Sequence, residues 1–338
     1  DLMIGDSEGN LIFLKNGGVK EFLKNKDNNT LILSKNSLET KKKDSEESVA
    51  KINLEQPLVN SKKSVNEPFE PKFEFISNKF GDLELGRRSF PAFMDIDGDE
   101  NIDLVVGNKS GELRYYRQKK VFENVNWSLE TNSFLDYKEG KNSSPVFADL
   151  DGDDDLDLLV GNRQGSIHYW ENKGNNDIAE FVYNPSPFIG VTGGINSVPA
   201  VIDLNSDGLN DILVGNLLGQ LYKYNQFEIN NGFRFKLDRR KYLNLDVGLG
   251  AIPVFADINN DNQPELIIGS DSGQLMCFKI KNIKQDEIEW ELNTEYFKDL
   301  KFPVGGNPAF VDLDKDGDLD LIIGSEKGTL YYYRNTGY

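Results

Sequence analysis

One acidic motif occurs five times at nearly even spacing, and this periodicity restricts the fold more than any other feature of the chain. The copies begin at Asp95, Asp149, Asp203, Asp257 and Asp312, at intervals of 54, 54, 54 and 55 residues. Each copy reads Asp-x-Asp/Asn-x-Asp-x-x-x-Asp/Glu and continues into an apolar stretch that ends in Gly. A fixed period near 50 residues indicates a repeat architecture in which each repeat folds as a similar unit.

Each repeat contains four short predicted strands. A strand such as PVFAD precedes the acidic loop, DLLVG follows it, and an aromatic strand such as SIHYWEN comes after a turn with two Gly residues. A less regular fourth strand precedes the next unit, with the sequences KFEFISN, WSLETN, FVYNPS, FRFKL and IEWEL. Four short strands at this period, without helical periodicity, predict an all-β fold, a β-propeller of four-stranded blades.

The repeats also set the expected domain organisation. Residues 1–16 match the end of a repeat, residues 17–70 lack the Asp loop and the Gly pair, and residues 71–338 hold five repeats. We therefore predict a single β-propeller domain over residues 1–338 with six or seven blades, in a piece of a longer chain. Part of the first blade and the outermost strand of the last are expected to come from residues upstream of Asp1.

The stretch 17–70 is rich in Lys, Asn, Ser and Glu, and it offers too little apolar surface to fold alone. We predict a flexible surface insertion. A degenerate seventh blade is the alternative, because the extra length is close to one period.

The acidic loops predict sites for a hard cation, because oxygen-bearing side chains stand at positions 1, 3, 5 and 9 of each loop, and the carbonyl at position 7 adds a fifth ligand. An EF-hand needs Glu at position 12, where this chain has Val or Ile. An acidic turn without a metal would leave up to four carboxylates repelling one another. We predict four to five Ca²⁺ sites. The predicted ligands are Asp95, Asp97, Asp99, Asn101 and Asp103; Asp149, Asp151, Asp153, Asp155 and Asp157; Asp203, Asn205, Asp207, Leu209 and Asp211; Asp257, Asn259, Asp261, Gln263 and Glu265; and Asp312, Asp314, Asp316, Asp318 and Asp320.

The five loops differ in quality. Position 6 of such a turn favours a left-handed backbone, which suits Gly208, Gly317 and Asn262 better than Glu100 or Asp154. The fourth loop carries Asn259, Pro264 and Glu265 and is expected to bind a cation most weakly.

Composition excludes several classes of function. The formal net charge of −18 has the wrong sign for binding nucleic acid, and no apolar run is long enough for a transmembrane segment. Cys277, the single cysteine, is predicted to be a buried strand residue, and His168, the single histidine, a structural sheet position. Because no Cys/His nucleophile pair exists and the metal spacing accounts for the paired carboxylates, we predict that the protein is not an enzyme.

The repeated D-x-D-x-D-x-x-x-D followed by an apolar run and Gly resembles the FG-GAP/VCBS repeats of integrin α-subunit propellers and secreted bacterial proteins. The resemblance covers residues 1–16 and 71–338. It implies a propeller with Ca²⁺ in the loop between the first and second strands, and a location that is extracellular, on the cell surface or periplasmic. It also implies a role in adhesion or ligand binding.

These features predict a calcium-stabilised module that recognises a protein partner. A carbohydrate-binding lectin propeller is the alternative, because the inter-blade loops are Gly-rich, and a polysaccharide lyase or glycosidase is a further one. The sequence does not identify the ligand. Antiparallel strand order is expected to place the acidic loops on one face of the ring. The Gly hairpins and inter-blade loops, including 191–196 and 303–307, are expected on the other, which is the predicted binding surface.

Overall fold

The computed structural model describes residues 69–337, apart from 122–123, 175–177, 231, 246 and 285–286, together with the backbone of three strands before residue 25. At residues 120, 121, 124 and 125 it describes the backbone only. The chain divides into two compact units, Asp1–Lys62 and Lys63–Tyr338. Within the part that the structure describes, no helix has the length and hydrophobicity needed to span a membrane.

The first unit contains one antiparallel sheet of three strands, β1 (Leu2–Gly5), β2 (Asn10–Lys15) and β3 (Gly18–Lys24). The first two strands occupy the partial repeat that the sequence places at residues 1–16. The third begins inside the stretch predicted as an insertion. The remainder of that stretch, from 25 to 68, lies outside the described residues.

The second unit contains five antiparallel sheets of four strands each, and these sheets are the blades of a β-propeller. Each blade begins with its innermost strand and follows the order predicted from the sequence. Blade 5 takes its fourth strand from β4 (Phe73–Ser77). Blade 1 comprises β5 (Phe90–Met94), β6 (Asp103–Gly107), β7 (Leu113–Val121) and β8 (Asn124–Thr131); blade 2, β9 (Ser144–Ala148), β10 (Asp157–Gly161), β11 (Ile167–Asn172) and β12 (Phe181–Tyr183); blade 3, β13 (Val198–Ile202), β14 (Asp211–Gly215), β15 (Leu221–Ile229) and β16 (Gly232–Arg240); blade 4, β17 (Ile252–Ala256), β18 (Glu265–Gly269), β19 (Leu275–Lys284) and β20 (Glu287–Asn293); and blade 5, β21 (Asn307–Val311), β22 (Asp320–Gly324), β23 (Leu330–Asn335) and β4.

Short 3₁₀ turns follow the outermost strands of four blades, at Phe80–Asp82, Phe134–Asp136, Ser186–Phe188 and Tyr242–Asn244. They lead the chain back towards the axis, where the next innermost strand begins.

The second strand of each blade is the centre of the core. Leu104, Val105 and Val106 of β6 have no exposed surface, and the equivalent residues of β10, β14, β18 and β22 are equally buried. Side chains alternate between the two faces of a strand, so burial on both faces requires a neighbouring blade on each side. The continuous apolar run after each acidic loop is therefore explained by blade-to-blade packing.

The ring closes between blades 5 and 1. Strand β4 pairs antiparallel with β23, and Phe73 lies opposite Asn335. At the axis, the Ser89 backbone N–H donates to the Ser325 carbonyl at 3.1 Å, and Asn307 Nδ2 donates to the Ser89 carbonyl at 2.7 Å. The innermost strands surround an axial cavity of about 200 Å³, where Phe90, Val198 and Ile252 pack together.

The prediction of six or seven blades is therefore wrong, because this ring has five. The expectation that residues upstream of Asp1 supply the outermost strand of the last blade is also wrong, because residues Phe73–Ser77 supply it. The physical reason is edge protection. Pairing β4, the strand before the first repeat, with β23 covers the outer edge of β23 and links the chain that enters blade 1 to blade 5.

Candidate functional site

The acidic loops all turn between the first and second strands and share one backbone design. The carboxylate at position 1 accepts backbone N–H groups from within its own loop. In loop 1, Asp95 Oδ1 accepts from Gly98 at 2.9 Å and Asp95 Oδ2 from Glu100 at 2.8 Å. The bond from the N–H of position 6 recurs in all five loops, at 2.8–3.2 Å. Position 1 therefore shapes the turn whether or not a cation is bound.

Each loop also has a left-handed backbone at both position 4 and position 6. Four loops place Gly at one of these positions and a residue with a side chain at the other, and the fourth loop has Asn260 and Asn262. Glu100 and Asp154 adopt φ of 66° and 70°, so the left-handed conformation predicted for position 6 is confirmed even where the residue suits it poorly.

Carboxylates converge in three of the five loops. Oxygen atoms that could hold a cation lie within 4.8 Å of one another in loops 1, 2 and 5. The groups consist of Asp95, Asp97 and Asp99; Asp149, Asp151 and Asp157; and Asp312, Asp314 and Asp316.

Loops 3 and 4 hold no such group, and both have Asn at position 3. Asn205 Nδ2 donates to Asp207 Oδ2 at 2.9 Å, and Asn259 Nδ2 donates to Glu265 Oε1 at 2.8 Å. An amide N–H therefore occupies carboxylate oxygens that a cation would need.

The carboxylate at position 9 has a structural role. Asp103 has no exposed surface, and its Oδ1 accepts the backbone N–H of Gln118 at 2.8 Å while its Oδ2 accepts the Tyr115 hydroxyl at 2.7 Å. Asp157, Asp211 and Asp320 accept the equivalent N–H from the third strand. Burial raises the pKa of Asp103 to about 6 and that of Asp320 to about 7. Position 9 thus ties each of these loops to its own sheet, and only Asp157 also joins a carboxylate group.

A residue that sequence reasoning missed faces the loop from the third strand, 22 residues after position 1. Arg117 Nε lies 2.7 Å from Asp97 Oδ2 in blade 1, and Arg334 Nε lies 3.2 Å from Asp314 Oδ2 in blade 5. In blade 2 the equivalent residue is Glu171, which contacts Asp151. Burial and the nearby Asp157 raise the pKa of Asp151 to about 7. The constant interval of 22 residues from position 1 was the sequence signal that could have identified this residue, since its type differs between blades.

Two orphaned atoms test whether a cation fits. Asp97 Oδ1 in loop 1 and Asp155 Oδ1 in loop 2 are buried and have no hydrogen-bond partner among the described residues. A buried anionic oxygen without a donor is costly, and a bound cation would satisfy it. The oxygen-only donor set suits Ca²⁺. Loops 1 and 2 therefore combine a convergent carboxylate group with an orphaned oxygen, and loop 5 has the convergent group; all three could hold a hard cation.

Neighbouring loops also contact one another around the acidic face. Lys315 Nζ of loop 5 donates to the Glu100 carbonyl of loop 1 at 2.7 Å, and Asn210 Nδ2 of loop 3 donates to the Asp149 carbonyl of loop 2 at 2.6 Å. A cation that orders one loop would therefore act on the next blade as well.

The opposite face, which we call the hairpin face, is built from the Gly hairpins and the inter-blade loops. Five equivalent backbone bonds of 2.7–3.0 Å join each inter-blade loop to the hairpin of the blade that it enters. The residues so joined differ in every blade. From blade 1 to blade 5 the donor and acceptor residues are Lys109 and Arg87, Arg163 and Lys141, Leu217 and Ile195, Asp271 and Leu249, and Glu326 and Val304.

The single His and Cys are held by packing. His168 is half-buried between Asn162 and Tyr183, and burial lowers its pKa. Cys277 is buried in the core between blades 4 and 5.

Comparison with known proteins identifies the repeat family. A family model described as an FG-GAP-like repeat matches residues 95–160 and 149–214. The chain carries FG-GAP-like repeats. The match spans the acidic loops and following strands of blades 1 and 2, and the propeller fold agrees with it, so the resemblance inferred from the sequence is confirmed.

This FG-GAP repeat chain is also similar to individual proteins. It is 23% identical over 248 residues to Protein linkin of Caenorhabditis elegans. The aligned region covers 69% of this chain and 40% of the length of linkin. Among solved structures, AofleA from Arthrobotrys oligospora has a TM-score of 0.44 at 11% identity, covering 78% of this chain and 72% of AofleA. An Agrocybe aegerita lectin that recognises non-reducing terminal N-acetylglucosamine has a TM-score of 0.39 at 15% identity, covering 74% of this chain and 64% of the lectin.

Proposed function

We propose that this FG-GAP repeat propeller is a calcium-stabilised extracellular binding module that recognises a protein partner through its hairpin face. The observation that carries the proposal is the set of five equivalent backbone bonds on that face. They hold loop and hairpin in the same geometry in every blade while the side chains change from basic to apolar to acidic. A rigid frame that presents varied side chains is suited to recognition.

Calcium would act on the opposite face. Loops 1, 2 and 5 would hold it with the three carboxylates that converge in each, and neighbouring carbonyl and water oxygens would complete the shell. When bound, the cation supplies positive charge between carboxylates that otherwise repel. The buried Asp97 Oδ1 and Asp155 Oδ1 support this assignment. Extracellular modules bind Ca²⁺ in the range of about 10⁻⁴–10⁻³ M, so the proposal implies a calcium-rich compartment.

Paired mutation tests the division between the two faces. The substitution Ile195→Ser, at an exposed position of the segment 191–196, is expected to weaken partner binding while the melting temperature stays constant. Asp149→Ala is expected to lower the melting temperature in Ca²⁺. Partner binding that requires a metal coordinated directly by the partner, with contacts on the acidic face, would refute the proposal.

A lectin is the second candidate, favoured by the Gly-rich inter-blade loops around Gly193, Gly250 and Gly305. Gly250 and Gly305 have a left-handed backbone, and a side chain added there would meet the Asp271 carboxylate or the Glu326 backbone N–H, respectively. A glycan array separates the two functions. Saturable binding of a defined sugar that is lost on substitution in these loops would favour the lectin over the protein binder.

A further inference from the structure

The adjoining edges of blades 2 and 3 on the hairpin face combine two basic side chains with exposed aliphatic ones. We call Lys141, Arg163, Ile195, Leu217 and Leu218 the blade 2–3 sector. We propose that this sector binds an acidic protein segment that also carries an apolar side chain. The inference rests on the proposed function and specifies which part of the hairpin face is used and by what kind of partner.

The backbone of the sector is rigid. The Arg163 N–H donates to the Lys141 carbonyl at 2.7 Å, and the Asn196 N–H donates to the Arg163 carbonyl at 3.1 Å. Between the two inter-blade loops, Asn142 Nδ2 donates to Asn196 Oδ1 at 2.8 Å, and both amides are buried. These bonds fix the basic and apolar residues relative to one another, so little backbone ordering remains to be done on binding.

The basic pair differs from the pair at the equivalent positions of blade 1. In blade 1, Arg87 and Lys109 occupy the equivalent positions and both contact Glu326 Oε1, at 2.8 and 3.0 Å. Among the residues that the structure describes, Lys141 and Arg163 have no ion pair, and both are exposed. An anionic side chain of a partner could pair with either of these two basic residues.

The apolar half lies beside the basic half. Ile195 is 56% exposed and Leu218 is 67% exposed at the tip of the blade 3 hairpin. Because the Leu217 N–H donates to the Ile195 carbonyl at 2.8 Å, the two aliphatic tips belong to one fixed surface. An apolar side chain seated there would gain roughly 25 cal/mol for each Å² of apolar surface removed from water.

The small number of basic residues and the apolar surface next to them favour a protein segment over a membrane as the partner. A Lys or Arg at an anionic membrane surface contributes about 1 kcal/mol, so two such residues would give only weak attachment. In a protein complex, a charge pair held beside an apolar anchor gains from desolvation and from fixed geometry. The formal net charge of the whole chain is −18, so the rest of the surface repels acidic segments. Such a segment would therefore be directed to this local basic site.

The test uses the full chain in Ca²⁺ with three synthetic peptides of equal length: one of alternating Asp/Glu and Leu, one with Lys in place of the acids, and one with Ser in place of Leu. The variants are Lys141→Glu/Arg163→Glu and Ile195→Ser/Leu218→Ser. The matched control is Leu249→Ser/Val304→Ser, which changes exposed aliphatic tips on blades 4 and 5. Melting temperatures verify that each variant is folded.

We expect the acidic–apolar peptide to bind better than both other peptides, with an affinity that falls as salt rises. Each sector variant should weaken it about tenfold or more, and the control should leave it nearly unchanged. Unchanged affinity after charge reversal would overturn the inference, as would an equal loss in the control. So would sector-dependent binding of phosphatidylserine vesicles without peptide binding.

A binding partner, once identified, separates failure of this inference from failure of the proposed function. Loss of its binding only in Leu249→Ser/Val304→Ser would reject the blade 2–3 sector but keep the hairpin face. Binding that no hairpin-face variant affects would reject the proposed function itself.

Discussion

The backbone N–H of Lys72 donates a hydrogen bond of 3.1 Å to Oδ1 of Asn335, which lies 263 residues later in the chain. Asn335 is itself buried and accepts this bond while its own N–H donates to Asp320 Oδ1 at 2.8 Å. Asn335 thus connects, through its side chain and its backbone, the residue just before the closing strand with the acidic loop of the last blade. Ring closure and the fifth loop are therefore parts of one hydrogen-bonded network.

Shortening a buried side chain of β4, the strand that closes the ring, should destabilise the whole ring. Phe73 of β4 is buried, and its ring lies 5.6 Å from that of Phe297 and 6.4 Å from that of Phe310. Phe73→Ala is expected to lower the free energy of unfolding by about 3–5 kcal/mol, because it leaves a cavity at the closure. Denaturant unfolding measures this. The control is Phe75→Ala on the same strand, whose side chain is 51% exposed, and an equal loss in both variants would contradict the expectation.

Chelation should lower the melting temperature. A ligand that binds only the folded state stabilises it by mass action, by about 2.7 kcal/mol when its concentration is a hundred times Kd. We expect excess EDTA to remove that contribution and Asp312→Ala to remove part of it. Either substitution also removes backbone bonds that the position 1 carboxylate accepts, so the quantity to compare is the difference between the melting temperatures in Ca²⁺ and in EDTA. Scanning calorimetry should show this difference reduced by Asp312→Ala and changed much less by Asp257→Ala, whose loop lacks a convergent carboxylate group. A melting temperature that EDTA leaves unchanged would argue against bound calcium.

The residue that faces each loop from the third strand should tune cation affinity. The Arg117 guanidinium beside Asp97 competes with a cation, so Arg117→Gln is expected to tighten Ca²⁺ binding in loop 1. Glu171→Arg should weaken binding in loop 2, because it puts a positive charge next to Asp151. Titration calorimetry of the two variants, each compared with the native chain, should show opposite changes in affinity. Changes of the same sign would disprove the assignment.

Backbone strain in loop 2 should be removable. Asp154 has φ of 70°, a left-handed conformation that costs a residue with a side chain about 1–2 kcal/mol. Asp154→Gly is expected to raise the free energy of unfolding by a few tenths to about 1 kcal/mol, because the entropy cost of Gly offsets part of the gain. The reciprocal change Gly208→Ala, at the same position of loop 3, should be destabilising. Urea midpoints measured in EDTA separate this effect from cation binding.

The two Gly residues of each hairpin meet different requirements, and only one of these requirements is local to the turn. Each hairpin carries two Gly residues in the sequence, and Gly in a tight hairpin suits a backbone with positive φ. Gly111 has such a backbone, with φ of 88°, but Gly107 does not. A side chain at Gly107 would collide with the backbone carbonyl of Ser143 in the next blade. The same close approach occurs at Gly161 with Ser197 and at Gly324 with Ser89. The requirement at these positions comes from the neighbouring blade and not from the turn.

The sequence by itself determined the strands, the propeller fold, the acidic loops and the left-handed position within them. These features depend on dihedral preferences and side-chain alternation over a few consecutive residues. Only the tertiary structure decided that β4 completes blade 5, that Arg117 faces Asp97, and that Asn142 bonds to Asn196. These relationships join residues that are distant in the chain. They are selected by the need to cover every strand edge and to pack each blade on two neighbours, which no local pattern records.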